Sequence, residues 1–296
     1  MRQMRQRSVA DLEPRLVPLP EKLRKTDLFI PRHPIEIFSA GSNGFLTCAD
    51  ALRFSQSLRP AIADIVFLDP PFNLGKDYGV AQWLEHGDAD AYELYMRKLI
   101  REMVRILKPG GALFLYHLPY WALRLSQELL GQLQFRHWIA IAMKNSFVRG
   151  KNLYPAHYAL LYYTKGEPAQ FFRPRLEPQL CRHCRGLVKD YGGYTSVIQD
   201  KGLNLSDFWD DLSPVRHKPR KHRRANQLPV ALTDRVVAIA GLPGGILVDP
   251  FAGTGTSLVS ALQAGMSFVG NEISKRSLRV CMTRLQVVGH RSSKDE

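Results

Sequence analysis

The sequence predicts an α/β fold, with a mostly parallel, twisted sheet and helices on both of its faces. Short apolar runs, typical of strands buried on both faces, alternate with segments whose apolar residues recur every three or four positions. Two of these runs end abruptly at an aspartate, Asp69 and Asp249. The alternation is interrupted between about residues 165 and 224, which predicts a region inserted into the α/β domain.

The composition favours a folded, soluble protein with a polyanionic partner. Hydrophobic residues make up 45% of the 296 residues, enough for a sizeable core. No stretch approaches the roughly 18 apolar residues of a membrane span, and the basic N-terminus lacks the apolar segment of a signal peptide. Lys and Arg number 41 against 27 Asp and Glu, a formal net charge of +14. We therefore expect a cytoplasmic protein that binds nucleic acid.

The first half of the chain alternates strands and helices after a charged, proline-containing arm at residues 1–40. The predicted elements are a strand at Ile62–Leu68, a helix at Tyr92–Leu107, a strand at Ala112–Tyr116, a helix at Trp121–Leu133, and strands at Trp138–Met143 and Tyr158–Thr164. The segment Lys108–Gly111 (KPGG) is expected to end the first helix, because proline and glycine do not continue one.

The same alternation resumes after the middle segment. The predicted elements are a helix at Pro229–Ala240, a strand at Ile246–Val248, a helix at Ser257–Gln263, a strand at Ser267–Gly270 and a helix at Lys275–Val287. We expect residues 41–144 and 225–290 to form two halves of one domain, interrupted by an insertion at 145–224 and followed by a tail at 291–296.

A glycine loop, Asp249–Thr256 (DPFAGTGT), lies between the strand and the helix of the second half. Glycines at 253 and 255 allow the backbone to approach a ligand, and the following helix offers unpaired N–H groups. Glu272 follows the next strand, 17 residues past Gly255, where nucleoside-binding units place the acid that binds the ribose hydroxyls. The loop lacks the third glycine of the dinucleotide-binding motif, and no G-K-[ST] of a nucleoside-triphosphate-binding loop follows it. Neither a nicotinamide cofactor nor a nucleoside triphosphate is therefore favoured. A nucleoside with a short charged tail, such as S-adenosylmethionine, fits better.

The tetrapeptide Asp69-Pro70-Pro71-Phe72 follows the other predicted buried strand. Ligands of open α/β sheets bind beyond the carboxyl ends of the strands. The prolines fix the backbone and remove N–H donors, while Asp69 adds an acceptor and Phe72 a flat face. These features indicate a receptor for a planar group that carries an amino substituent.

With both motifs in the same chain, the sequence resembles the amino-group DNA methyltransferases of the permuted β class, which use S-adenosylmethionine. In that family a (D/N/S)PP(Y/F) tetrapeptide precedes a target-recognition region and an FxGxG cofactor motif. The same order is present here as Asp69–Phe72, about 145–224, and Phe251–Gly255. The resemblance covers about residues 40–287 and implies a Rossmann-like methyltransferase fold with an inserted target-recognition region. Leu46–Asp50 (LTCAD), Leu107–Gly111 (LKPGG) and Val269–Glu272 (VGNE) are further family-like segments.

The resemblance assigns roles to individual residues. Asp69, Pro70, Pro71 and Phe72 correspond to the catalytic residues that hold and stack the target base. The predicted cofactor-binding residues are Asp50, Asn226, Asp249, Phe251, Gly253, Thr254, Gly255, Thr256 and Glu272. Leu228 replaces the lysine that the family often has just before its cofactor strand, so a charge contact from that position is not expected.

The implied reaction is direct methyl transfer to an exocyclic amino nitrogen of a flipped base in double-stranded DNA, without a covalent intermediate. An Asp-initial tetrapeptide favours adenine N6 within the family, and cytosine N4 is the alternative. An RNA or protein-amide methyltransferase and a non-catalytic nucleic-acid-binding protein are further alternatives. The family includes restriction-modification enzymes, which implies a prokaryotic or phage setting, and its members often form homodimers.

The middle segment, residues 145–224, contains two further features that bear on function. The basic run Arg216–Arg224 is the predicted phosphate contact, through Arg216, Lys218, Arg220, Lys221, Arg223 and Arg224. Cys181 and Cys184 have the spacing of half a zinc knuckle, but no second such pair exists. We therefore predict no bound metal.

Overall fold

A computed structural model describes residues 23–31, 35–40, 43–73, 88–143, 151, 153, 155–178, 180, 181, 183, 184, 186, 193–212 and 227–292. Within them the helices are α1 Lys25–Leu28, α2 Ala51–Ser57, α3 Ala89–Ile106, α4 Pro119–Leu130, α5 Thr195–Lys201, α6 Val230–Ala240, α7 Thr256–Gln263 and α8 Lys275–Ser292. The strands are β1 Ile37–Ser39, β2 Gly44–Thr47, β3 Ala63–Leu68, β4 Leu107–His117, β5 Gln134–Ala142, β6 His157–Thr164, β7 Arg175–Leu176, β8 Leu203–Asn204, β9 Phe208–Trp209, β10 Ile246–Asp249 and β11 Ser267–Asn271.

Nine of the described strands form one sheet in the order β1-β2-β11-β10-β3-β4-β6-β5-β9. Strands β2, β11, β10, β3 and β4 run parallel to one another, whereas β6 is antiparallel to both β4 and β5. The predicted, mostly parallel α/β sheet is therefore confirmed. The two short strands β7 and β8 form a separate antiparallel pair.

Helices cover both faces of this sheet because its central strands are apolar on both sides. In β3, Val66 and Leu68 point into the core beneath α2, α3 and α4, while Ile65 and Phe67 point into the core beneath α6, α7 and α8. This alternation follows from the two-residue repeat of a strand. None of the helices within the described residues is long and apolar enough to cross a membrane.

The order of the central strands reverses between β3 and β10. From β10 the chain passes through α7 to β11 on one side, and from β3 it passes through α3 to β4 on the other. Leu247 pairs with Ile65, and Val248 pairs with Val66. The segments that follow β3 and β10 therefore leave the sheet side by side, at the kind of switch point where α/β proteins bind ligands.

Two elements differ from the sequence expectations. Strand β4 begins at Leu107, directly after α3, so the KPGG segment continues as strand rather than as a separate turn. The sheet also extends into the segment 145–224, because β6 lies between β4 and β5 and β9 pairs with β5. A boundary at residue 144 therefore does not separate the sheet from the insertion.

Candidate active site

The glycine loop after β10 adopts a conformation that only glycine tolerates well. Gly253 and Gly255 have φ angles of 54° and 81°, in the left-handed region. A Cβ atom at Gly255 would lie 2.5 Å from the sulfur of Cys281 on α8. The loop is thus closely packed between the sheet and α8, and Gly255 directly precedes the first residue of α7.

Asp249 anchors this loop from the end of β10. Its side chain is buried, and it accepts hydrogen bonds from the backbone N–H of Phe251 at 2.8 Å and from the hydroxyl of Ser257. Burial raises the pKa of Asp249 to about 7, with smaller contributions from the charges of Asp69 and Glu272. Its two hydrogen bonds act in the opposite direction.

A cleft that is open to solvent lies over the ends of β3 and β10. It brings together residues of the two motifs that the sequence singled out, Asp69 from the tetrapeptide and Asp249 from the glycine loop. Its lining is completed by Phe67, Gln227, Leu228, Phe251, Ala252, Thr254, Thr256 and Ser257. The two motifs, about 180 residues apart in the chain, therefore form one site.

Asn271, at the end of β11, joins the ends of three strands. Its side-chain oxygen accepts from the Thr47 hydroxyl at 2.7 Å and from the Ala49 N–H at 3.1 Å. Its amide donates to the carbonyls of Ala49 and Pro250 at 2.9 and 3.1 Å. In the sequence Asn271 stands out only as part of VGNE, and no pattern indicates this role, because its partners lie far away in the chain.

Glu272 follows Asn271 and lies at the carboxyl end of β11, as predicted. Its N–H donates to the carbonyl of Thr47 at 3.1 Å, and one carboxylate oxygen accepts from the N–H of Ser274 at 2.7 Å. Its negative charge contributes to the raised pKa of Asp249, so the two acids belong to the same electrostatic environment.

Arg284 on α8 holds the glycine loop from the side opposite the sheet. Its guanidinium donates to the Thr254 carbonyl at 2.5 Å and to the hydroxyls of Thr254 and Thr256 at 3.2 and 3.4 Å. Desolvation lowers the pKa of this arginine. No motif in the sequence identified Arg284, since only the packing of α8 brings it to the loop.

Asp50 caps a helix. One of its oxygens accepts from the N–H groups of Leu52 and Arg53 at 3.0 and 3.2 Å, at the start of α2. The other accepts from the hydroxyl of Tyr95 at 2.8 Å. The predicted cofactor contact of Asp50 stays a prediction, and it would have to coexist with these three bonds.

The tetrapeptide is held by aromatic residues. The Pro71 carbonyl accepts from the hydroxyl of Tyr92 at 2.7 Å. Phe72 is only 4% exposed, and its ring centroid lies 5.1 to 5.9 Å from those of Tyr116, His117 and Tyr158. The predicted stacking of a base on Phe72 therefore requires a neighbouring ring to move aside.

Other predicted residues fall elsewhere. Asn226 and the basic run Arg216–Arg224 lie outside the described residues. Backbone N–H groups of Cys184 and His183 lower the pKa of Cys181. In the part of the chain that the structure describes, no group of three or more His, Cys, Asp or Glu side chains is arranged to hold a metal.

Comparison with known proteins identifies the family. A profile of DNA methylases matches residues 63–283, which is more than half of the chain and contains both motifs. The chain belongs to the DNA methylase family. The match includes the cleft and the strands β3 and β10 that carry it.

Curated DNA methylases of bacteria are similar to this chain. The type II methyltransferase M.BamHI of Bacillus amyloliquefaciens is 40% identical over 233 residues, which cover 78% of this chain and 54% of M.BamHI. The chain thus spans about half the length of that relative. The DNA adenine methyltransferase YhdJ of Escherichia coli K12 is 26% identical over 263 residues, which cover 83% of this chain and 84% of YhdJ.

Solved DNA methylases share the fold. The structure of TTHA0409, a putative DNA modification methylase from Thermus thermophilus complexed with S-adenosylmethionine, has a TM-score of 0.54 and 20% identity. The structural alignment covers 83% of this chain and 95% of the TTHA0409 chain. The expected Rossmann-like methyltransferase fold is confirmed.

Proposed function

We propose that this chain transfers a methyl group from S-adenosylmethionine to the exocyclic amino group of a base in double-stranded DNA. The observation that carries the proposal is the convergence of Asp69 and Asp249 in one cleft at the ends of adjacent strands. We assign the binding of the amino group to Asp69, and the binding of the nucleoside cofactor to the loop that carries Asp249. Family membership supports the same reaction.

The residues of the cleft fit S-adenosylmethionine. The first N–H groups of α7 and the hydroxyls of Thr254 and Thr256 suit its carboxylate, because helix N-termini attract anions. We assign the ribose hydroxyls of the cofactor to Glu272, and the negative charge of Asp249 would favour the cofactor's cationic groups. When bound, the cofactor supplies an electrophilic methyl group on a sulfonium.

The tetrapeptide then acts on the amino group of the base. The Asp69 carboxylate and the Pro70 carbonyl each accept one N–H bond, which favours a more tetrahedral nitrogen with an available lone pair. Holding that nitrogen in line with the methyl group lowers the barrier through orientation. The bound cofactor would supply the methyl group and leave as the thioether, and Asp69 would take the proton that the nitrogen releases.

The substrate must leave the double helix to reach this cleft. An amino group inside duplex DNA is inaccessible to such a site, so the base is flipped out at a cost of a few kcal/mol. The net charge of +14 favours DNA as a partner. We assign the phosphate contacts to the basic run Arg216–Arg224. Neutralising four of its residues should reduce the log–log salt slope of DNA binding by up to about 0.9 per lost contact, whereas an unchanged slope would exclude the run.

Adenine N6 is the proposed target atom. The aspartate at the first position of the tetrapeptide favours adenine by family resemblance, and the relative YhdJ is named a DNA adenine methyltransferase. Cytosine N4 requires the same acceptors and is the second candidate.

The decisive experiment is incubation with labelled S-adenosylmethionine and duplex DNA, followed by digestion to nucleosides and identification of the labelled one. Label on N6-methyladenine supports the full proposal. Label on N4-methylcytosine supports the methyl transfer but makes cytosine, not adenine, the target base. Protein that binds the cofactor yet transfers no label to DNA would refute the proposal. Single-stranded RNA in a parallel reaction tests the RNA alternative.

Two variants make the test specific to the site. Asp69→Ala should retain cofactor binding and lose transfer, because it removes an acceptor for the amino group. Asp90→Asn is the matched control, since its carboxylate is 83% exposed on α3 and does not line the cleft. Equal transfer by the Asp69→Ala variant and the wild type would remove Asp69 from the mechanism.

A further inference from the structure

A buried hydrogen-bond chain ends on the catalytic tetrapeptide. It runs from the backbone N–H of Leu118 to His117, then to Tyr92, and then to the carbonyl of Pro71. His117 and Tyr92 are both fully buried, although each carries polar atoms. Buried polar side chains are retained where their bonds are satisfied, and these three bonds connect the end of β4 to Pro71.

The direction of each bond follows from the number of available protons. The Pro71 carbonyl can only accept, so the single hydroxyl proton of Tyr92 is donated to it over 2.7 Å. The oxygen of Tyr92 lies 2.7 Å from Nε2 of His117 and must therefore accept a proton from that nitrogen. The other ring nitrogen, Nδ1, accepts the N–H of Leu118 at 2.8 Å. One neutral tautomer of His117, with its proton on Nε2, satisfies all three bonds.

The charge state of His117 agrees with this assignment. Complete burial lowers the pKa of His117 to about 3. A protonated ring would also turn an Nδ1–H group towards the N–H of Leu118, and two donors would then face each other. The ring is therefore neutral at physiological pH and acts as a fixed donor, not as a titrating base.

The bond to Pro71 removes a torsional freedom that the two prolines leave open. Asp69 and Pro70 each precede a proline, which restricts both to extended conformations. The proline rings fix the φ angles of Pro70 and Pro71. The orientation of the Pro71 carbonyl, and with it the direction of the chain into Phe72, is the remaining variable. The hydroxyl of Tyr92 fixes that carbonyl.

His117 also holds the next residue of the tetrapeptide. Its ring stacks on Phe72 with centroids 5.1 Å apart and an angle of 29° between the planes. The same imidazole thus positions Pro71 through Tyr92 and Phe72 through direct contact. Two adjacent residues of the tetrapeptide share one support from β4.

We propose that Tyr92 and His117 are positioning residues for methyl transfer, which hold the Asp69–Phe72 backbone in the geometry that receives the amino group. Neither touches the substrate in this role, and both act through the Pro71 carbonyl and the Phe72 ring. The inference rests on the proposed DNA methylation and adds to it two residues on α3 and β4 that no motif contains. It requires that removal of one hydroxyl slows the chemical step without weakening the cofactor site.

The test compares single-turnover methyl transfer and S-adenosylmethionine binding in the full chain. Tyr92→Phe keeps the ring and removes only the hydroxyl, so we expect the transfer rate to fall roughly 10- to 100-fold, with cofactor affinity unchanged. Tyr162→Phe is the matched control, because the Tyr162 hydroxyl is buried on β6 and has no hydrogen-bond partner among the described residues. That control should transfer at the wild-type rate.

His117 provides a second pair of variants. His117→Gln can keep a donor towards Tyr92 and should retain most of the rate, whereas His117→Leu cannot and should lose as much as Tyr92→Phe. The double variant Tyr92→Phe/His117→Leu should lose less than the two single losses combined, because the two residues share the path through the Pro71 carbonyl. The comparison of His117→Gln with His117→Leu remains decisive if Tyr92→Phe does not fold.

Three results would overturn the inference. They are wild-type transfer rates in Tyr92→Phe, equal rates in His117→Gln and His117→Leu, and equal losses in Tyr92→Phe and Tyr162→Phe. Failure of the proposed function is distinguishable from these, since the wild-type chain itself would then transfer no label to DNA.

Discussion

Asp69 directly follows β3, Asp249 is the last residue of the adjacent parallel strand β10, and both line the same cleft. Burial raises the pKa of Asp249 to about 7, and the charges of Asp69 and Glu272 add to the effect. A carboxyl group at the centre of the site therefore changes its charge near neutral pH.

This shift predicts a pH dependence of stability. The pKa of Asp249 is higher in the folded protein than its usual value of 3.8, so the folded state binds the proton more tightly than the unfolded state. The stabilisation is fully present below about pH 4 and is lost as the pH rises through about 7. Without ligand, the free energy of unfolding should fall on the order of 2–3 kcal/mol between pH 5 and pH 8.

Urea unfolding at several pH values measures this change. Asp249→Asn, which cannot ionise, should show a flatter profile over the same range. Equal slopes for the wild type and this variant would contradict the assignment of the pH dependence to Asp249.

Gly255→Ala should destabilise the protein and abolish cofactor binding. The new Cβ would meet the sulfur of Cys281 at 2.5 Å, and the φ angle of 81° strains any residue with a side chain. Overpacking of this kind costs about 1–3 kcal/mol. Gly166→Ala is the control, because Gly166 has a φ angle of 79° but no atom within 4 Å of its Cβ position.

Both variants share the backbone strain, but only Gly255→Ala brings a Cβ atom against the sulfur of Cys281. A comparison of their thermal melts therefore separates the two effects. Adding Cys281→Ala to Gly255→Ala should recover part of the loss. A double variant no more stable than Gly255→Ala alone would show that Cys281 is not the limiting contact.

Asn271→Ala should cost about 2–4 kcal/mol of unfolding free energy. It leaves the N–H and carbonyl of Ala49 and the carbonyl of Pro250 without their side-chain partner. Denaturant titration measures the loss. Asn204→Ala, at an exposed position on β8, should change the stability by less than about 0.5 kcal/mol, and a comparable effect of the two substitutions would rule out the bridging role.

Arg284→Met should weaken S-adenosylmethionine binding by roughly 10-fold, the equivalent of about 1.4 kcal/mol. The guanidinium holds the Thr254 carbonyl and the Thr256 hydroxyl, so its loss leaves the loop less ordered before the ligand arrives. Isothermal titration calorimetry gives the affinity. Arg279→Met removes an exposed arginine from the same helix and should bind normally.

The strand ends and their acids were predictable, because an apolar run followed by Asp-Pro is visible in the sequence. Asp69, Asp249 and Glu272 all lie where the sequence placed them. The capping role of Asp50 also has a local signal, an aspartate just before a helix. It was missed because the family resemblance offered a different role for the same residue.

The supports of the site were not predictable. His117 ends an apolar run and belongs to no motif; its partner Tyr92 is 25 positions earlier in the chain, and Pro71, which Tyr92 bonds, is 46 positions earlier. Arg284 reaches the loop only through the packing of α8. The place of β6 between β4 and β5 is equally invisible, since a strand pattern specifies burial but not the neighbouring strand.

The strand order also constrains how the protein folds during synthesis. Strands β10 and β11 are made after every other strand of the sheet, yet they fill the gap between β2 and β3. Until they emerge from the ribosome, β2 and β3 each present an unpaired apolar edge to the cell. Such late, non-local pairing slows folding and exposes aggregation-prone surface, so the nascent chain is expected to depend on chaperones until β10 and β11 are in place.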